Sequence, residues 1–208
     1  MEHYRFFLKR LGSMAAMCLT HSGCFVGILD APAEDGLAGT YVLDNLLFTL
    51  EVGGQGLVQI HGVNGGVTVR GSPGSHDVFI AATRKVGART SHEAESGLLD
   101  LLVLFSRSDH GIFVESSHPL STGETSYEVV YDILVPPDLE LKIFQANGEV
   151  LVQDMGAHVW VENPNGNGKI EDLVGASFVS VANGQVDPEP STSTCPKVES
   201  TFGGGSGR

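Results

Sequence analysis

The residue types that could do chemistry are scattered along this chain. Eight histidines stand at His3, His21, His61, His76, His92, His110, His118 and His158. His92-Glu93 is followed by Ala-Glu-Ser, so the i, i+4 histidine pair of a zinc-hydrolase helix is missing. No G-x-S-x-G is present, and so no nucleophile elbow. Gly166-Asn167-Gly168-Lys169 lacks the earlier glycine and the following Ser/Thr that a phosphate loop needs. Calcium loops of the alternating-Asp type are absent too. Asp154 and Asp172 are one aligned pair of carboxylates, and paired acids could cleave a polysaccharide. At a corner of the chain they read more simply as turn residues that hydrogen-bond their own backbone. The sequence therefore predicts no catalytic residue, no metal site and no cofactor: a protein that is not an enzyme.

The element that must hold these residues is visible in a repeat. Residues 139–147, 157–165 and 175–183 align at a spacing of 18, with Asn147, Asn165 and Asn183 in register, each followed by a glycine (Gly148, Gly166, Gly184). Val152 aligns with Ile170, Asp154 with Asp172, and Met155 with Leu173. A unit this short cannot bury its own apolar face, and stacked copies can. Period-two alternation points Leu141 and Ile143 inward over Val159 and Val161, and over Val179 and Val181, with Ser177 breaking the row. Asn-Gly turns the corners because both residues tolerate positive φ. Aligned Asn side chains can hydrogen-bond up the stack. Outward positions then place Lys142, Trp160 and Phe178 in one column, a cation beside two aromatics, suited to a sugar ring or a partner's side chains. The alternative is that other segments cover this face and make Trp160 second-layer core.

Upstream, strands are expected over 41–52, 57–60, 76–86 and 126–136, the last stopped by Pro136-Pro137. Asn64-Gly65 marks a tight turn before Val-Thr-Val. Residues 91–100 suit a short helix that Ser91 could cap. LLVLFS and IFVESS flank a hairpin at R-S-D-H-G. The expected fold is all-β: a β-solenoid of stacked coils of about 18 residues, preceded by a mixed β region with one short helix.

The first residues read as an address. Arg5, Lys9 and Arg10 precede residues 11–29, which carry no Asp, Glu, Lys or Arg. The run L-T-H-S-G-C resembles a bacterial lipoprotein signal in which Cys24 is lipidated. A membrane-spanning helix is a second reading, since roughly 20 apolar residues span a bilayer. A third is ordinary secretion with Cys24 free to pair with Cys195. All three export the chain. The division is then 1–23 signal, 24–40 linker, 41–186 β domain and 187–208 a Pro/Ser/Thr/Gly tail. Where the repeat stops, the last coil has an open edge that invites pairing with another chain. The formal charge of −13 keeps a β-rich chain soluble and off nucleic acid. It also disfavours an anionic membrane surface, so attachment must come from lipid or a helix.

A strand ending in V-P, then L-x-L-x-x-x-x-N-G-x-V-x-V and further N-G coils, resembles the bacterial putative-adhesin family, a domain of unknown function. G-V-N-G-G-V-T-V-R-G and Y-E-V-V-Y-D-I-L-V-P fit as well. The resemblance covers about residues 41–186. It implies a β-solenoid, export or surface attachment, and no known catalytic residues. The expected function is a non-catalytic, lipid-anchored envelope protein in contact with a glycan or an envelope protein. Self-association as a structural or sensing protein is the alternative, and a carbohydrate-active β-helix enzyme a third.

Overall fold

Alternation of Val, Ile and Leu with polar residues drives nearly every element here into a strand with one buried face. The computed structural model describes residues 40–119 and 125–188, with the backbone of three further strands. Most of the expected signal, most of the expected linker, Cys195 and most of the expected tail lie outside the described residues. The elements in chain order are β1 (Glu2–His3), β2 (Cys24–Leu29), β3 (Thr40–Glu51), β4 (Leu57–Asn64), β5 (Val67–Gly71) and β6 (Asp77–Ala88). Helix α1 (Ser91–Asp100) follows, then β7 (Leu102–Arg107), β8 (Ile112–Ser117) and β9 (Ser126–Val135). The last are β10 (Glu140–Asn147), β11 (Val150–Gln153), β12 (Val159–Asn165), β13 (Gly168–Glu171), β14 (Ser177–Asn183), β15 (Val186–Pro188) and β16 (Lys197–Ser200). Thus β2 falls within the segment read as a linker, and β16 within the segment read as a tail without strands.

These strands form two mixed sheets of eight. The first runs β1-β7-β8-β4-β10-β12-β14-β16, and the second β15-β13-β11-β5-β9-β6-β3-β2. This corrects the expected solenoid behind a separate β region. The repeated coils are parallel strands, but they continue laterally into upstream strands of the same two sheets. In the second sheet, β5 joins β9 in parallel, while β9, β6, β3 and β2 are antiparallel neighbours. A period of 18 cannot reveal this, because it describes only the strands that repeat. Asn64-Gly65 accordingly carries the chain from the first sheet into the second instead of folding β4 back on itself.

One apolar core lies between the sheets. Leu141, Ile143, Val159, Val161, Val179 and Val181 from the first sheet are buried with Val67, Val69, Val78, Ile80, Ile133, Val150 and Val152 from the second. Ser177 is half-buried in its row. Helix α1 packs on β6 and β3 and buries Ala94 and Gly97. Its N-cap is Thr90, one residue before the expected Ser91. The Thr90 hydroxyl accepts from the Glu93 amide at 3.2 Å, and the Glu93 carboxylate accepts from the Thr90 amide at 3.2 Å. This is a capping box, in which each residue satisfies an orphan donor at the helix start.

Inside the antiparallel half lies an ion pair. The Asp44 side chain is 2% exposed and Arg84 14%. Arg84 Nε donates to Asp44 Oδ2 at 3.0 Å and Nη2 donates to the same oxygen. Arg84 Nη1 donates to the carbonyls of Leu98 and Leu101 at 3.3 and 2.7 Å. One guanidinium therefore neutralises the buried carboxylate and satisfies carbonyls at the end of α1.

Candidate functional site

The face of interest is the outer side of the first sheet. Its strands are in register, so residues from distant parts of the sequence share one row. Lys142 pairs with Trp160 and Trp160 with Phe178. The same row continues the other way through Gln59 to Phe113. All of these point outward because their neighbours Leu141, Ile143, Val159, Val161 and Val179 point into the core. Trp160 is 40% exposed, while Lys142 and Phe178 are half-buried.

The Trp160 and Phe178 rings stack with centroids 4.0 Å apart and planes inclined by 27°. Adjacent strands lie roughly 4.8 Å apart, so in-register aromatics stand upright and cover one another's faces. What solvent meets is the ring edges and the Lys142 side of the indole. The indole N–H of Trp160 donates to Glu162 Oε1 at 2.9 Å. A second row beside the first contains His61, Phe144 and Glu162. The His61 and Phe144 rings lie 4.7 Å apart, and Gln59 Nε2 approaches His61 Nε2 to 2.6 Å. The face thus combines apolar edges, an ammonium, an amide and a carboxylate. That set suits hydroxyl-rich or mixed polar and apolar ligands.

Sequence reasoning found Lys142, Trp160 and Phe178 through the repeat. It missed Gln59, His61, Phe113 and Phe144 as members of the same face. Gln59 and His61 lie on β4, which is the next coil along: Asn64 pairs with Asn147, and Gly62 with Gln145. The usable signal was Asn64-Gly65-Gly66-Val67-Thr68-Val69, the N-G-x-V-x-V pattern again.

The corners beside this face carry Asn147, Asn165 and Asn183, with Asn64 as a fourth rung. Asn147 Nδ2 donates to Asn64 Oδ1 at 2.9 Å, Asn165 to Asn147 at 3.0 Å, and Asn183 to Asn165 at 2.9 Å. Gly148, Gly166 and Gly184 follow with φ of 127°, 144° and 153°. A Cβ on any of them would stand 1.8 Å from the carbonyl oxygen of the glycine in the coil before it. Below the ladder, Gln145 and Asn163 are buried in the core. Their amide nitrogens donate to corner carbonyls: Gln145 to Gly65 and Asn147 at 2.8 Å each, and Asn163 to Gly148 at 2.8 Å. Gly62 leaves the space that Gln145 Oε1 occupies.

The other chemically suggestive residues are not assembled. Asp154 and Asp172 have φ of 57° and 50°, the left-handed turn conformation that Asp tolerates. They stand at the other corner, after β11 and β13. Described histidines other than His118 are exposed, and His118 stacks on Tyr127 at 5.2 Å. Among the described residues, no three His, Cys, Asp or Glu side chains are grouped to hold a metal ion. Among them too, no helix is long and apolar enough to cross a membrane. The Cys24 backbone pairs with Leu46 at the start of β2.

No family model matches the chain, and no curated protein matches it. Among solved structures, it is similar to the crystal structure of a putative cell adhesion protein from Clostridium sporogenes. The identity is 13%, the match covers 66% of this chain and 71% of that one, and the TM-score is 0.39. A likeness of that strength carries no argument about what this chain does.

Proposed function

We propose that this chain is a non-catalytic, exported contact module of the cell envelope, and that it works through the outer face of the first sheet. The observation that supports this is the Lys142–Trp160–Phe178 row on the outer face of parallel strands, with Trp160 exposed. The partner is a glycan or an envelope protein whose polar groups meet Lys142, Glu162 and Gln59 while its apolar parts cover the ring edges. The adhesin-like reading rests on the repeat motifs and on this face. Export and anchoring through a lipid on Cys24 belong to the same reading.

Trp160 is the one tryptophan of the chain, so its fluorescence reports on this face alone. Titrating the full chain with envelope polysaccharides and extracted envelope proteins should shift Trp160 emission for the true partner class. Trp160→Ala should abolish binding while leaving the circular dichroism spectrum unchanged. Binding that survives Trp160→Ala would move the contact elsewhere. An unfolded variant would place Trp160 among the residues that hold the sheet. Fatty-acid labelling that is lost in Cys24→Ala would support the anchor, and labelling that persists would overturn it.

A further inference from the structure

Ring geometry on the contact face separates its two partner classes. A sugar meets an aromatic through C–H groups, which are slightly positive and seek the negative face of a ring, whereas ring edges are positive. In the exposed row the faces are taken. Trp160 and Phe178 cover one another at 4.0 Å. The other face of the indole looks toward half-buried Lys142, its in-register neighbour on β10. Adjacent strands are roughly 4.8 Å apart. A ring placed between two side chains needs about 7 Å, two contacts of about 3.5 Å each, so no sugar ring enters between Lys142 and Trp160. In the next row Phe144 is met by His61 at 4.7 Å and stands in register with Glu162 on its other side. What these rings present outward is their edges. A positive edge is met by a carbonyl oxygen or by the face of a partner's own aromatic ring, and a polypeptide supplies both.

Charge narrows the partner further. The outward side chains of β8, β4, β10 and β12 hold three carboxylates, Glu115, Glu140 and Glu162, against one ammonium, Lys142. Glu115 and Glu140 are exposed, and each stands between buried neighbours that point into the core. All four strands have described strands on both sides. The formal charge of −13 gives the wider field the same sign. Lys or Arg side chains brought among these carboxylates gain attraction, and an acidic polysaccharide is repelled.

We infer that the outer face of β8, β4, β10 and β12 docks a basic polypeptide that carries apolar or aromatic side chains, and not a glycan. Trp160 is the apolar anchor, and Glu115, Glu140 and Glu162 meet the partner's cations. Tryptophan is enriched among the residues that dominate protein–protein binding energy, with polar groups around them. The inference rests on the contact-face reading above and names its partner class.

The test reads Trp160 emission of the full chain against tryptophan-free probes. These are a short peptide alternating Lys with Phe, its Glu-for-Lys counterpart, a cellulose oligomer and a glucosamine oligomer. The expected result is a shift with the Lys peptide alone, weakened by salt. Substituting Glu115→Gln, Glu140→Gln and Glu162→Gln together should then lower affinity about tenfold. A control with Glu51→Gln, Glu128→Gln and Asp132→Asn changes net charge equally on the second sheet and should lose little. Equal losses in the two variants would reduce the attraction to net charge and overturn the inference. The probe comparison on the unaltered chain stands whether or not a variant folds. A shift with either sugar oligomer, or with the Glu peptide, as strong as that with the Lys peptide would overturn the inference and keep the contact face. Emission that no probe moves would overturn both.

Discussion

The two halves of the molecule keep their register by different means. In the parallel half, from β10 to β15, every coil meets an equivalent of itself, and the register is held at the corners. The Asn ladder, the stacked glycines and the inward amides of Gln145 and Asn163 all act there, on neutral groups. In the antiparallel half, β2, β3, β6 and β9 have no repeated partner. A one-residue slip would turn each strand inside out. The Asp44–Arg84 pair guards against this, because only one register of β3 and β6 brings the two charges together under α1. Neutral hydrogen bonds repeated many times do on one side what a single buried charge pair does on the other.

The largest expected effect breaks that single pair. Asp44→Ala leaves Arg84 buried without its carboxylate, and removing one partner of a buried pair costs about 3–5 kcal/mol. Denaturant unfolding should show the loss as a lower midpoint with an unchanged slope. Replacing both residues with apolar ones of similar size should recover much of it, since the penalty lies in the uncompensated charge. A loss under about 1 kcal/mol, the surface-pair range, would show that the pair does not fix the antiparallel register.

Asn165→Ala, in the middle of the ladder, should cost less. It removes the bonds to Asn147 Oδ1 and the Ala146 carbonyl and the one accepted from Asn183. These are exposed and neutral, so water replaces part of each, and the net loss should be about 1–2 kcal/mol. The loss should exceed that of Asn183→Ala, the last rung of the ladder among the described residues. Equal losses would mean the rungs act independently of their place in the stack.

How far the sequence revealed this arrangement follows the same division. Asn147, Asn165 and Asn183 were legible because equal spacing puts like beside like, and Leu141 through Val181 followed from alternation. Asn64 escaped because it lies 83 residues before the Asn it meets, a gap set by the strands and helix inserted between two coils. Gln145 and Asn163 are polar residues at inward positions, and only the carbonyls of a corner already built make them acceptable there. Asp44 and Arg84 are 40 residues apart and look like surface charges until β3 and β6 are paired. For the candidate face the balance was similar. Lys142, Trp160 and Phe178 came from the repeat, while Gln59, His61, Phe113 and Phe144 needed the sheet order.

Thr90→Ala tests a local device in the antiparallel half, the start of α1. Losing the hydroxyl acceptor and the reciprocal Glu93 contact should cost about 1 kcal/mol. Thr90→Ser should keep most of it. Because α1 covers β3 and β6, the amides of those strands should exchange faster than those of β10, β12 and β14. Uniform acceleration across both halves would show that the cap supports the whole core and not α1 alone.

The smallest expected effect returns to the parallel half and concerns acid. The Glu171 carboxyl is held below its ordinary value, first by the hydrogen bond from Lys169 and then by that from Gln153, one coil away. A carboxylate with a depressed value adds stability above the unfolded value, roughly 4.3, and loses it as pH falls through the folded value. The parallel half should therefore weaken slightly below about pH 4 through this group. Glu171 is half-buried at the surface, so salt should screen part of the effect. Carboxyl chemical shifts followed against pH check this directly. Lys169→Ala should bring Glu171 back toward the ordinary range, and Gln153→Ala should do so by less. If Gln153→Ala had the larger effect, the contact between β11 and β13 would govern the carboxylate. The parallel half would then hold a charge-dependent link between coils, and the contrast with the Asp44–Arg84 half would narrow.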